Sequence, residues 1–174
     1  TTVFAAAFLA YSLKPLLSIS VESNKERASE AIATGFTFLL YMALVIGIVC
    51  IPFSTEIIVF LSSEAFISGA PVLIILSFAS IFIYLNVLFG EVMIAKDMRK
   101  YLIWVSIIVL LFNIVSNIIL IPRYSYIAAA YTTLASEMIL LLLGYLISRR
   151  ILPISFDLFR GIKLIFCAFL SIIL

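Results

Sequence analysis

"NIVSNIILIPRYSYIAAAYTTLASE" spans residues 113–137. Two asparagines four residues apart precede a Pro-Arg break. Alanines and threonines follow, and then a single glutamate stands among apolar residues. On either side the chain is apolar, from Tyr101 to Ile121 and from Tyr126 to Ile147. Each run is about 20 residues, the length that carries a helix across a hydrocarbon layer of about 30 Å. A connection as short as Pro122–Ser125 makes the two helices antiparallel neighbours. Asn113 and Glu137 then lie at similar depths, counted from the turn. The stretch reads as a transmembrane hairpin with polar groups at its middle.

The rest of the chain has the same character. Of 174 residues, 66% are hydrophobic and 11% charged, and none is histidine. Soluble domains carry about 25% charged and roughly 45–50% apolar residues, so the composition is that of an integral helical membrane protein. Lipid offers backbone groups no partner, which makes each apolar run a helix and not an open strand. Polar punctuation separates six runs, at 1–17, 31–51, 71–95, 101–121, 126–147 and 162–174. The expected fold is all-α, a polytopic transmembrane helical bundle of about six spans making one unit over residues 1–174. The chain starts and stops inside apolar runs too short to cross a bilayer, so it is expected to be a piece of a longer polypeptide. The opening run lacks the basic leader and cleavage site of a secretory signal. Cys50 and Cys167 have no metal-ligand spacing and read as packing residues. A net charge of +2 with no basic groove argues against nucleic acid as a partner.

Loop charge sets the direction of the helices. Lys14, Lys25 and Arg27 surround the first connection, Lys96, Arg99 and Lys100 the third, and Arg149, Arg150, Arg160 and Lys163 the fifth. Of the eleven Lys and Arg residues, only Arg123 lies on an even-numbered connection. Short basic loops stay cytoplasmic. Loops 18–30, 96–100 and 149–163 are therefore expected inside, and the first helix runs inward. "SVESNKERASEAIATGF" (20–36) is expected to extend the second span as a helix at the cytoplasmic surface, with Glu22, Glu26 and Glu30 on one face. "STEIIVFLSSEAFISGAP" (54–71) mixes apolar residues with Glu56 and Glu64 and has no cation. It is expected to lie along the outer interface as a short amphipathic helix.

Enzymatic signatures are missing: there is no G-x-S-x-G, no HExxH, no Gly-rich phosphate loop and no pair of acids at catalytic spacing on one span. The expectation is a protein that is not an enzyme and uses no cofactor or metal. Polar residues inside the spans are more informative. Ser106, Asn113 and Asn117 share a stripe on the fourth run; Ala129, Thr133, Glu137 and Gly144 share one on the fifth; Ser77, Ser80, Tyr84 and Glu91 share one on the third. Small and polar residues let helices approach closely and bond across the contact. Three such faces point to a bundle around a shared polar interior, with Asn113, Asn117 and Glu137 as cavity or coupling residues. Glu137 lies about twelve residues into its run, near the midplane at a 1.5 Å rise. An acidic side chain there costs about 2.5–3.5 kcal/mol and faces a cavity or a partner. Two readings stand open. One is coupling or gating in a transporter; the other is a neutral Glu137 bonded to Asn113, Asn117 or a threonine on the neighbouring helix. Glu91, about one turn from Lys96, is expected to snorkel to the interface.

Residues 89–143, "FGEVMIAKDMRKYLIWVSIIVLLFNIVSNIILIPRYSYIAAAYTTLASEMILLLL", carry a resemblance. A basic inner loop (Lys96, Arg99, Lys100) precedes a helix with Asn113 and Asn117. Then come Leu120, Ile121, Pro122 and Tyr124, and a helix start with Ala129, Ala130, Thr132 and Thr133. Upstream, Pro15 and Ser18 stand as a Pro-x-x-Ser helix end before a charged loop. This pattern resembles the C-terminal half of prokaryotic polysaccharide flippases, the Wzx-like O-antigen/oligosaccharide-lipid branch of the multidrug/oligosaccharidyl-lipid/polysaccharide exporter superfamily. Where that family has glycines at the turn and the next helix start, this chain has Ser125 and Ala128.

The resemblance implies a protein of roughly twelve to fourteen spans in two homologous bundles, of which this chain supplies the second. It implies flipping of a lipid-linked oligosaccharide across the plasma (inner) membrane of a prokaryote, for cell-surface polysaccharide synthesis. Membrane lipids and the N-terminal bundle of the same protein are the other implied partners. Arg99, Lys100, Arg149 and Arg150 at the cytoplasmic mouth would attract a pyrophosphate headgroup, or would serve topology alone. A drug/cation antiporter of the same superfamily is the alternative within transport. A non-transporting membrane assembly subunit is the alternative outside it, and a membrane enzyme stands third.

Overall fold

The computed structural model describes residues 25–148, and every element among them is helical. Helix α1, Lys25–Cys50, begins within the charged juxtamembrane stretch, as its sequence led us to expect. It ends where Pro52 can no longer supply a backbone N–H. The short α2, Ser54–Leu61, leaves at 80° to the Thr37–Cys50 portion of α1. A 3₁₀ turn, Glu64–Gly69, then feeds α3, Ala70–Ala95, with Pro71 in its first turn, where a missing N–H costs nothing. The predicted 54–71 helix is thus two short pieces set across the bundle end.

Helix α3 stops by a specific backbone device. Asp97 adopts φ 56°, Met98 N donates to Met93 O at 2.8 Å, and Asp97 N donates to Ile94 O at 3.0 Å. That is a Schellman cap, with an aspartate where glycine is usual.

The run Arg99–Ser148 is broken at Ser125, whose φ of 57° and ψ of −149° are not helical. Its limbs, α4 (99–124) and α5 (126–148), fold back on each other. Asn113 reaches Ser136 and Thr132 reaches Asn117, so each step of four along α4 is matched by four back along α5. This is the expected antiparallel hairpin. The reversal falls at Ser125, the last residue of the expected Pro122–Ser125 connection, and the helix continues through Pro122 and Arg123. Proline's fixed φ is compatible with a helix and removes one bond, whereas the backbone at Ser125 reverses the chain.

Helix α3 is the centre of the packing. Its Ile81, Tyr84, Leu85, Leu88 and Val92 form a core with Leu39, Leu40 and Ala43 of α1. On its other side it meets α5: Phe89 stacks edge-on with Tyr145 at 6.4 Å, and Gly144 lies over the Phe89 Cβ. Contacts advance in the same direction along both chains, Ser68 with Tyr126 and Asn86 with Glu137, so α3 and α5 run parallel with α4 antiparallel to both. Between lipid-embedded helices the attraction is close packing, not water exclusion. Small residues such as Ala43, Ala79 and Ser80 at the contacts fit that requirement.

Two helical stretches are long and apolar enough to cross a membrane, Glu64–Ile94 and Arg99–Ile147, and a third is added if the bent pair Thr37–Cys50 and Ser54–Leu61 counts as one. The second stretch contains the hairpin, and each limb exceeds the about 20 residues a crossing requires. The outward face of α4 is mostly apolar, with Ile103, Ile107, Leu110, Leu111, Ile118 and Ile119 exposed along it. The 51–69 connection and the 122–126 turn lie at one end, joined by a bond from Tyr126 Oη to Ser68 O at 3.2 Å. These are the two connections poor in Lys and Arg. The predicted runs 1–17 and 162–174, the loop 149–163, and Arg149 and Arg150 lie outside the described residues.

Candidate functional site

The depth scale comes from the aromatic residues of the hairpin. Exposed Tyr101 and Trp104 mark one end of α4, and exposed Tyr124 and Tyr126 mark the other. Trp104 and Tyr124 are about twenty residues apart, or ~30 Å along a helix, which matches the hydrocarbon thickness between interfacial aromatic belts. Asn113 lies ~14 Å from Trp104 and Glu137 ~16 Å from Tyr126 on this scale, so both sit at mid-membrane depth.

Two polar seams meet there. The first closes the hairpin. Asn117 Nδ2 donates to Asn113 Oδ1 at 2.9 Å, and Asn113 Nδ2 donates to Ser136 Oγ at 3.0 Å. The Thr132 hydroxyl lies 2.6 Å from Asn117 Oδ1 and 3.0 Å from Ala129 O, sharing its proton between them. Thr132 and Ser136 are buried and the asparagines half-buried. The seam is a relay of side chains that satisfy one another, which is how lipid-embedded polar groups avoid standing unpaired.

The second seam joins α5 to α3. Asn86 Nδ2 donates to Glu137 Oε2 at 2.7 Å and to the Glu137 backbone carbonyl at 2.9 Å. The expected partner for a bonded Glu137 was Asn113, Asn117 or a threonine; the structure supplies Asn86. Helical phase explains the difference. Thr132 and Ser136 lie four apart and face α4, while Thr133 and Glu137 are each one residue on, about 100° around the helix, and face α3. Thr133 itself donates back to Ala129 O at 2.8 Å. Asn86 was missed because Ser77, Ser80, Tyr84 and Glu91 formed the visible stripe on that run. Asn86 lies on the opposite face from Tyr84, and an intramembrane asparagine was the available signal.

The stripe on α3 does not open into the same place. Tyr84 packs against α1. Ser77 and Ser80 are buried and donate to their own helix, to Leu73 O and Ser77 O, each at 2.7 Å. Glu91 does not snorkel as expected: its Oε2 is enclosed and has no partner among the described residues. Lys96 lies five residues on, about 140° around the helix, and faces elsewhere. Ser106, placed on the Asn113 stripe, is exposed on α4. Arg99 and Lys100 are exposed at the start of α4, at the end opposite the Tyr126–Ser68 contact. An open groove of about 340 Å³ between α4 and α5 is walled mainly by apolar side chains, Phe112, Leu120, Tyr131 and Met138 among them, with Ser116 and Thr132 its small polar residues. Cys50 is half-buried and forms no disulfide among the described residues, and Cys167 lies outside them. Among the described residues no cluster of acids, cysteines and histidines could hold a metal.

No family model, characterised protein or solved structure matches this chain.

Proposed function

We propose that this chain is part of a polytopic flippase of about six spans in this bundle, moving a lipid-linked oligosaccharide across the plasma membrane of a prokaryote. The observation that carries the reading is a half-buried carboxyl, Glu137, held at mid-membrane depth in a hairpin whose sequence resembles the exporter family. An ionisable residue in that position is a marker of transport sites. In the mechanism, two bundles rock about a midplane site, and the cargo's polar head passes Glu137 while its tail stays in lipid. Exposed Arg99 and Lys100 attract the anionic headgroup at the cytoplasmic mouth. The test is Glu137→Gln in the full-length protein. Glutamine keeps an oxygen for Asn86, so insertion and thermal stability stay near wild type while surface polysaccharide is lost. Undiminished export would sink the reading.

A second reading is a membrane assembly subunit without transport. It is favoured by the mutual bonding of Asn113, Asn117, Thr132 and Ser136, which needs no cargo. Cysteines placed at Asn113 and Glu137 separate the two. Water-soluble thiol reagents label them in a transporter with a wet midplane site and fail to do so in a dry scaffold.

A further inference from the structure

Both donors of the Asn86 amide go to one residue. Its Nδ2 has two hydrogens, and both acceptors within reach, the backbone carbonyl at 2.9 Å and the carboxyl Oε2 at 2.7 Å, belong to Glu137. An interhelical tie needs only one such bond. The second fixes the plane of the amide, and with it the place where Oε2 must sit. The side chain of Glu137 is thereby anchored against α3. Thr132, Ser136, Asn113 and Asn117 are occupied with each other in the hairpin seam. No donor among the described residues reaches the remaining oxygen, Oε1, and Glu137 is only half-buried. An acceptor left empty at this depth is costly once the surroundings close.

We propose that Asn86 is a positioning residue: it holds one oxygen of Glu137 against α3 so that the other is presented to a hydroxyl of the passing glycan. This rests on the flippase reading and names the group that orients its midplane carboxyl. The chemistry is an O–H donor on the sugar and a carboxyl oxygen as acceptor, at the 2.5–3.0 Å usual for such bonds.

The experiment uses the full-length protein in liposomes with a fluorescent polyprenyl-diphosphate oligosaccharide as the probe. Asn86→Ala is expected to insert normally and to raise the apparent KM about tenfold, the worth of one hydrogen bond, with a smaller change in maximal rate. A fall in maximal rate and thermal stability at an unchanged KM in Asn86→Ala would make the pair a structural tie and overturn the inference. An unchanged KM in Asn86→Ala would also overturn it, with the flippase reading intact. A wild-type protein that moves no probe would remove both.

Discussion

Two residues adopt backbone angles that their side chains disfavour. Ser125 sits at φ 57°, ψ −149°, a region open almost only to glycine, and Asp97 sits at φ 56° in the cap of α3. A non-glycine residue in such a conformation costs on the order of 1–3 kcal/mol, less for aspartate in the left-handed region. Ser125→Gly is therefore expected to raise stability by about 1 kcal/mol, and Ser125→Val to lower it by more, read from thermal unfolding in detergent. Asp97→Gly is expected to stabilise by a few tenths to about 1 kcal/mol in the same assay, since the Schellman bonds are kept and the strain is relieved. The structure shows that the turn keeps the glycine-like angles and carries the strain.

The hairpin is the element in which polar and apolar forces divide most cleanly. Its outer face is lipid-compatible, and its inner face is tied by the Thr132–Asn117–Asn113–Ser136 relay. Interhelical bonds of this kind average about 0.6 kcal/mol and reach about 1.7. Thr132→Val, which keeps the shape, is expected to cost about 0.5–1 kcal/mol. Asn117→Leu is expected to cost more, because it strands Asn113 Oδ1 as well as breaking the Thr132 bond, which leaves that hydroxyl only Ala129 O. The two effects should be less than additive in a double-mutant cycle, since both variants lose the same 2.6 Å bond. Full additivity would mean that the relay does not act as a unit. Gly144→Ala should be tolerated, because the added Cβ would meet Phe89 Cβ at an ordinary 3.7 Å.

At the scale of the molecule, the connections separate by charge and by end. Phe60 and Leu61 stand exposed beside the Tyr126–Ser68 contact, and Arg99 and Lys100 stand exposed at the other end. Single cysteines at Phe60 and Tyr124 are expected to react with an impermeant thiol reagent from the same side, and a cysteine at Lys100 only from the opposite side. Labelling of all three from one side would break the transmembrane arrangement. The apolar runs predicted most of this. The 71–95 run is α3, Ala70–Ala95, because composition and the Gly69–Pro71 signal act locally. The 101–121 and 126–147 runs fall inside the two limbs of Arg99–Ser148 for the same reason. Hydrophobic length and the short turn are properties of contiguous residues, so the sequence alone was enough to determine these helices and the reversal between α4 and α5. Which face of α5 meets which neighbour depends on rotations of about 100° between adjacent residues and on helices far apart in the chain. Only the tertiary structure could give Glu137 to Asn86, 51 positions away, and close the asparagines on Thr132 and Ser136.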